Sequence, residues 1–106
     1  MFQDPRGWLS ELFRADELPS GFAPAMSYIS ATLPGITRGP HEHVEQTDFF
    51  CFVGPSNFKV ALWDDRKDSS TYRNRMAAHV GERNPSQVIV PPGVVHAYKN
   101  VGDIPG

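Results

Sequence analysis

Gly35-Ile36-Thr37-Arg38-Gly39-Pro40-His41-Glu42-His43 and, further along, Pro91-Pro92-Gly93-Val94-Val95-His96-Ala97-Tyr98-Lys99-Asn100 are the two stretches whose reading decides the fold. On an extended strand, residues two apart point to the same face. His41 and His43 can therefore present both imidazoles to one cavity. An imidazole with a reference pKa of about 6.5 can serve as base, acid or metal ligand. In the second stretch, proline fixes φ and glycine permits a positive φ, so Pro91-Pro92-Gly93 makes a tight turn. Val94 to Lys99 then extends again and carries His96.

Outward from these stretches, the chain divides into short segments. Nine glycines and ten prolines punctuate it, as turn-rich β proteins require. Phe49 to Val53 is continuously apolar and reads as a strand buried on both faces. Gly54-Pro55-Ser56-Asn57 is a turn, after which Phe58 to Trp63 alternates in part. Asp64 to Ser70 is a polar turn. Thr71 to Val80 is a weaker strand and Gln87 to Val90 a strong one. Strand patterning begins from Ala25, where Met26 to Ser30 alternates loosely. Before it, Trp8, Leu9, Leu12 and Phe13 fit the stripe of one short helix around Trp8 to Leu18. Several short strands at this spacing predict an all-β protein, an antiparallel sandwich or barrel.

The 106 residues suit one domain, with an N-terminal arm over 1–24 and barrel strands over 25–106. Apolar residues make up 40%, enough for one modest core, and the net charge is −2. No basic surface for nucleic acid or an anionic membrane is expected, and the apolar runs are too short to span a bilayer. No signal peptide is visible. Cys51 is the one cysteine, so an intramolecular disulfide is impossible. Both features favour a cytoplasmic protein. Cys51 reads as a buried, inert thiol, His79 as a structural residue, and Tyr72 and Tyr98 as packing aromatics.

The spacing around the histidines carries a resemblance. Gly35, five residues, His41, one residue, His43, ten residues and Gly54 match the first cupin motif. Gln46, Thr47 or Asp48 stands where that motif has its acidic ligand. Pro91, one residue, Gly93, two residues, His96, three residues and Asn100 match the second. The chain thus resembles the cupins, which implies a cupin-type antiparallel β-barrel (jelly roll) with His41, His43 and His96 converging inside it.

More of the chain is similar to one cupin branch, the dTDP-4-dehydrorhamnose 3,5-epimerases. Asp4-Pro5-Arg6-Gly7-Trp8-Leu9-Ser10-Glu11 looks like that family's D-x-R-G-x-F-x-E opening, with the aromatic moved forward to Trp8. Gly35 to His41 looks like its G-V-L-R-G-x-H element, and Gln46 matches a following glutamine. Val60-Ala61-Leu62-Trp63-Asp64-Asp65-Arg66, followed by Ser69-Ser70-Thr71-Tyr72, is similar to D-V-A-V-D-x-R and S-P-T-F-G. Val90 to Tyr98 is similar to I-P-x-G-F-A-H-G-F.

The resemblance implies that His41 is the base that takes a proton beside the ketone of a nucleotide-linked 4-keto sugar. Arg38 and Arg6 would hold phosphates, Arg6 across a dimer interface. Glu11, Gln46 and His96 would complete the substrate-binding set. A ketone acidifies the neighbouring C–H bonds, so an imidazole can remove such a proton near neutral pH. The enolate then needs a positive or hydrogen-bonding partner. Asp48 stands where the family has its enolate-stabilising lysine, and His43 where it has glutamine. The family's tyrosine acid and the aspartate that pairs with its base lie beyond the second motif. The barrel is accordingly expected to be incomplete at its C-terminal end, as in a truncated chain.

The epimerase reading needs no cofactor and takes a nucleotide sugar as its small-molecule partner. A second reading is a metal-binding cupin, with His41, His43, His96 and Asp48 (or Gln46) holding a divalent metal; a nucleotide-sugar ketoisomerase with paired histidines is a variant. A third is a non-catalytic sugar- or nucleotide-binding module. A homodimer is expected, because association covers unpaired strand edges in so short a chain.

Overall fold

The computed structural model describes residues 2–106, which fall in two compact units, the first ending at Ser30 and the second spanning Ala31–Gly106. In the first unit, β1 (Phe2–Asp4) and β2 (Gly7–Leu9) form an antiparallel hairpin with Asp4 opposite Gly7. Its turn is made by Pro5 and Arg6. Asp4 Oδ1 accepts the Arg6 backbone N–H at 2.8 Å, the local bond that makes aspartate a turn residue. This corrects the helix expected over Trp8 to Leu18. Trp8 and Leu9 are strand residues, and Ser10 to Arg14 has no regular structure. Four apolar residues fit a helical stripe and an extended strand alike, and the Asp4–Gly7 turn settles the choice. Met26 to Ser30 likewise forms no strand. No α-helix occurs among the described residues, and so none is long and apolar enough to cross a membrane.

The second unit holds the remaining strands: β3 (Thr37–His41), β4 (Asp48–Phe52), β5 (Asn57–Asp64), β6 (Arg75–Gly81), β7 (Ser86–Val90) and β8 (Val94–Asn100). They make a four-stranded sheet in the order β3-β8-β5-β6 and a two-stranded sheet of β4 and β7. All pairs are antiparallel. Period-two alternation aims one set of side chains from each sheet at the other. Phe52, Phe58, Val60 and Val80 form the buried core, with Phe50, Leu62, Val88 and Tyr98 packed against it. Full burial of a phenylalanine such as Phe52 or Phe58 contributes roughly 2–3 kcal/mol.

The outward residues of β4 correct one expectation. Phe49 and Cys51 are half-buried rather than buried. They lie on the other face of a two-stranded sheet, beside Ile89, which is itself 39% exposed. Burial nonetheless pushes the Cys51 thiol pKa up, which keeps the sulfur protonated and unreactive. His79 is exposed on the edge strand β6, and its carbonyl accepts a hydrogen bond from Asn84.

β6 starts at Arg75 rather than Thr71 because Asp64 organises the preceding residues into a turn. The Asp64 carboxylate accepts two bonds from the Arg66 guanidinium and one from the Thr71 hydroxyl. Together they hold its pKa far below the usual carboxylate range. The chain end is pinned by Asn100, which is fully buried. Its Nδ2 donates to the carbonyls of Thr32 and Ile104, both at 2.8 Å. Its Oδ1 accepts from the Ser56 hydroxyl and the Gly102 N–H.

Candidate functional site

Three segments of the second unit bring histidines and a carboxylate to one place. On β8, His96 shares a face with Tyr98 and Asn100, so the alternation that packs the half-buried Tyr98 against the core also turns His96 inward. It is only 4% exposed. On β4, Asp48 shares a face with Phe50 and Phe52, which directs its carboxylate the same way. His43 lies two residues past the end of β3, in the loop to β4. The loop is tied down by a 2.9 Å bond from the Gly93 N–H to the His43 carbonyl. The turn that precedes β8 thus also positions His43.

His41 reaches the site by a different device. Arg38 pairs with Tyr98 and His41 with His96, so β3 spends one more residue than β8 between the two pairs. This is a β-bulge, which re-aims the side chains that follow it. Gly39 sits in the bulge at φ +102°, and a Cβ there would meet the His96 carbonyl oxygen at 2.7 Å. Only glycine combines that backbone angle with so close an approach.

The resulting geometry is compact. The His41 and His96 rings are 6.1 Å apart, edge to face, and the His43 and His96 rings 5.7 Å apart. Asp48 Oδ2 lies 3.0 Å from His43 Nε2 and 3.4 Å from His96 Nε2. Gln46 Nε2 donates to the other oxygen, Asp48 Oδ1. His96 Nδ1 is 3.4 Å from the Val94 carbonyl. Phe50 packs on His96 with ring centroids 5.4 Å apart and joins the site to the core.

Of the four residues expected to ligate a metal, the structure gathers three. One ligand atom each from His43, Asp48 and His96 lies within 4.8 Å of the others, a group that does not include His41. His41 is exposed. Arg38 donates from Nε to the Thr32 hydroxyl and from Nη2 to the Ala31 carbonyl, both at 2.8 Å. Arg6 and Glu11 belong to the first unit. There Arg6 forms an exposed ion pair with Asp4, and Glu11 one with Arg14. Sequence reading missed Phe50 as a wall of the site. Its signal was its place two residues after Asp48, on the same face of β4.

Residues 1–104 match the dTDP-4-dehydrorhamnose 3,5-epimerase family over nearly the whole chain. The chain belongs to that family. Among curated relatives, it is 39% identical over 104 residues to the probable low-salt glycan biosynthesis epimerase of Haloferax volcanii. It is 36% identical over 103 residues to the spore coat polysaccharide biosynthesis protein SpsL of Bacillus subtilis. Each match covers 96% of this chain but only 65% and 66% of the relative, so the chain spans slightly under two thirds of their lengths.

Solved structures agree on the fold. A dTDP sugar isomerase from Desulfovibrio desulfuricans superposes with a TM-score of 0.85 at 24% identity, over 98% of this chain and 66% of that one. The dTDP-4-dehydrorhamnose 3,5-epimerase from Sulfolobus tokodaii gives 0.80 at 24% identity, over 98% and 61%. The packed antiparallel sheets are therefore those of the cupin-type epimerase fold, as the two histidine motifs predict.

Proposed function

We propose that this chain carries the proton-abstracting part of a 3,5-epimerase-type site for a nucleotide-linked 4-keto sugar. The observation that supports this most is the placement of His41. The bulge in β3 puts its exposed imidazole opposite the buried His96, at the position where the family resemblance locates the base. In the proposed step, an imidazole nitrogen of His41 takes the proton from the carbon beside the ketone. The C–H electron pair moves toward the ketone oxygen and gives an enolate. Return of a proton to the same carbon from the opposite face inverts it. Near neutral pH an imidazole has the right basicity for such a transfer.

His96 lines the pocket floor in this reading, with its ring held by Phe50. Arg38, anchored by Thr32 and Ala31, is assigned to a phosphate of the nucleotide. Gln46 completes the substrate set of the second unit, and Arg6 serves a partner subunit's site in a homodimer. The single cysteine supports a cytoplasmic location, which cell fractionation checks.

The experiment is hydrogen exchange. The chain is incubated in D2O with a dTDP-linked 4-keto-6-deoxy sugar, and the sugar protons are followed by NMR. Loss of the C3 or C5 proton signal at a rate proportional to protein supports the reading. A chain that binds the sugar nucleotide without promoting exchange is a binding module instead.

A further inference from the structure

We infer that the outer face of the four-stranded sheet docks an acidic helical segment of another protein. Period-two alternation gives β5 two faces. Phe58, Val60 and Leu62 point to the core, so Lys59, Ala61 and Trp63 point away from it. The register then decides what lies beside them. Lys59 stands directly opposite Lys99 on β8 and His79 on β6, and Lys99 stands opposite Thr37 on β3. Thr37, Lys99, Lys59 and His79 thus form one row across all four strands, and all four are exposed.

Like charges directly opposite each other weaken a sheet. Neither Lys59 nor Lys99 has an ion-pair partner among the described residues. The fold therefore carries a repulsion that an anion from outside would relieve. The net charge of −2 hides this row, because its members are far apart in the chain and meet only through strand pairing.

The rest of the face selects the shape of the partner. Ala97, Ala61 and Ala77 form the next row, a flat shelf whose small side chains let another backbone come close. Small-molecule sites are concave, and this face is not. The basic row is three inter-strand steps long, about 14 Å, more than one phosphate or carboxylate covers. Carboxylates at i and i+4 of a helix are about 5–6 Å apart, close to the inter-strand step of about 4.8 Å. Carboxylates on one face of a strand repeat at about 6–7 Å and fall out of step with the row. A second copy offering the same face would set lysine against lysine. The occupant is therefore an acidic helix laid across the strands, with carboxylates on the lysine row and small residues on the alanine row. This face lies on the other side of the sheet from His96, so the inference does not depend on the proposed activity.

The probe is a synthetic peptide, held helical by a lactam bridge, with glutamate at every fourth position and alanine between. Its glutamine counterpart is the control. Amide resonances of the isotope-labelled whole chain are followed by NMR at low ionic strength, where surface charge is least screened. The glutamate peptide should shift the amides of Thr37, Lys59, His79 and Lys99 and of the alanine row, and the glutamine peptide should not. Lys59→Glu and Lys99→Glu should each weaken binding by roughly 5-fold or more, since each removes an exposed ion pair and adds a repulsion. Lys67→Glu, in the polar turn, should bind as the parent does. Lys59→Glu should also raise the urea midpoint, because it turns the opposed lysines into a pair of opposite charges. That gain shows as well that the variant folds. The inference is overturned if the two peptides bind alike, or if Lys67→Glu loses as much affinity as Lys59→Glu. Displacement of the peptide by duplex DNA, the mark of a nucleic-acid face, would overturn it too, and so would a lower urea midpoint in Lys59→Glu.

Discussion

His41 and His96 stand directly opposite each other across the β3–β8 pair, with rings 6.1 Å apart, although the residues before them are out of step by one. The bulge that corrects the register depends on Gly39. Gly39→Ala would force a Cβ to within 2.7 Å of the His96 carbonyl at a φ of +102°. Backbone strain of this kind costs roughly 1–3 kcal/mol. The variant should unfold at lower denaturant concentration, and the NMR resonances of His41 and His96 should shift. An unchanged midpoint with unchanged histidine resonances would show that the bulge does not hold the pair.

Asn100 should matter more for stability than any other polar residue in the second unit. Asn100→Ala leaves the Thr32 and Ile104 carbonyls, the Ser56 hydroxyl and the Gly102 N–H without their partner. Stranding several buried groups at once should cost on the order of 3 kcal/mol, read as a shift in the urea midpoint. Asn100→Asp should fail to restore stability, because a carboxylate cannot donate to the two carbonyls.

The Asp64 turn gives the fold an acid-sensitive point. Its carboxylate pKa is depressed, first by the Arg66 guanidinium and then by the Thr71 hydroxyl. A group whose pKa is lowered by folding contributes stability above its unfolded pKa of about 3.9. That contribution is lost as pH falls below this value toward the folded pKa. Thermal unfolding should show a midpoint that drops on acidification below pH ~4. In Asp64→Asn the midpoint should be lower at neutral pH and the drop shallower. Equal acid slopes in the two proteins would contradict this.

The edge strand β6 is exposed over residues 75–79, and an exposed edge favours pairing with another copy. Light scattering at micromolar concentration should therefore report a dimer. A stable monomer would remove the basis for assigning Arg6 to a partner's site.

Much of this architecture is legible in the sequence, for reasons that differ by residue. Phe58 to Trp63, Gln87 to Val90 and Val94 to Lys99 announce their strands because one face is core, and burial imposes the period of two. The inward aim of His96 follows from the same period, two residues before Tyr98. The hairpin at Trp8 was hidden because four apolar residues satisfy two periodicities at once. The route by which the first histidine pair meets His96 was also hidden. Spacing places His41 and His43 on one strand face, whereas the strand ends at His41. A bulge places one of them and a backbone bond from Gly93 the other. Such features depend on contacts distant in the chain, and local pattern does not carry them.

The central claim is that His41 is the base of an epimerase-type site, and hydrogen exchange into a dTDP-linked 4-keto sugar tests it most directly. The parent chain and the His41→Ala and His43→Ala variants are compared in D2O by following the C3 and C5 protons of the sugar. If His41 takes the proton, its removal should slow exchange by about 10²–10⁴-fold, the usual contribution of a positioned general base. His43→Ala should have a smaller effect, because His43 is engaged by Asp48 and the family resemblance puts the base at His41. Exchange by His41→Ala at the parental rate would contradict the account.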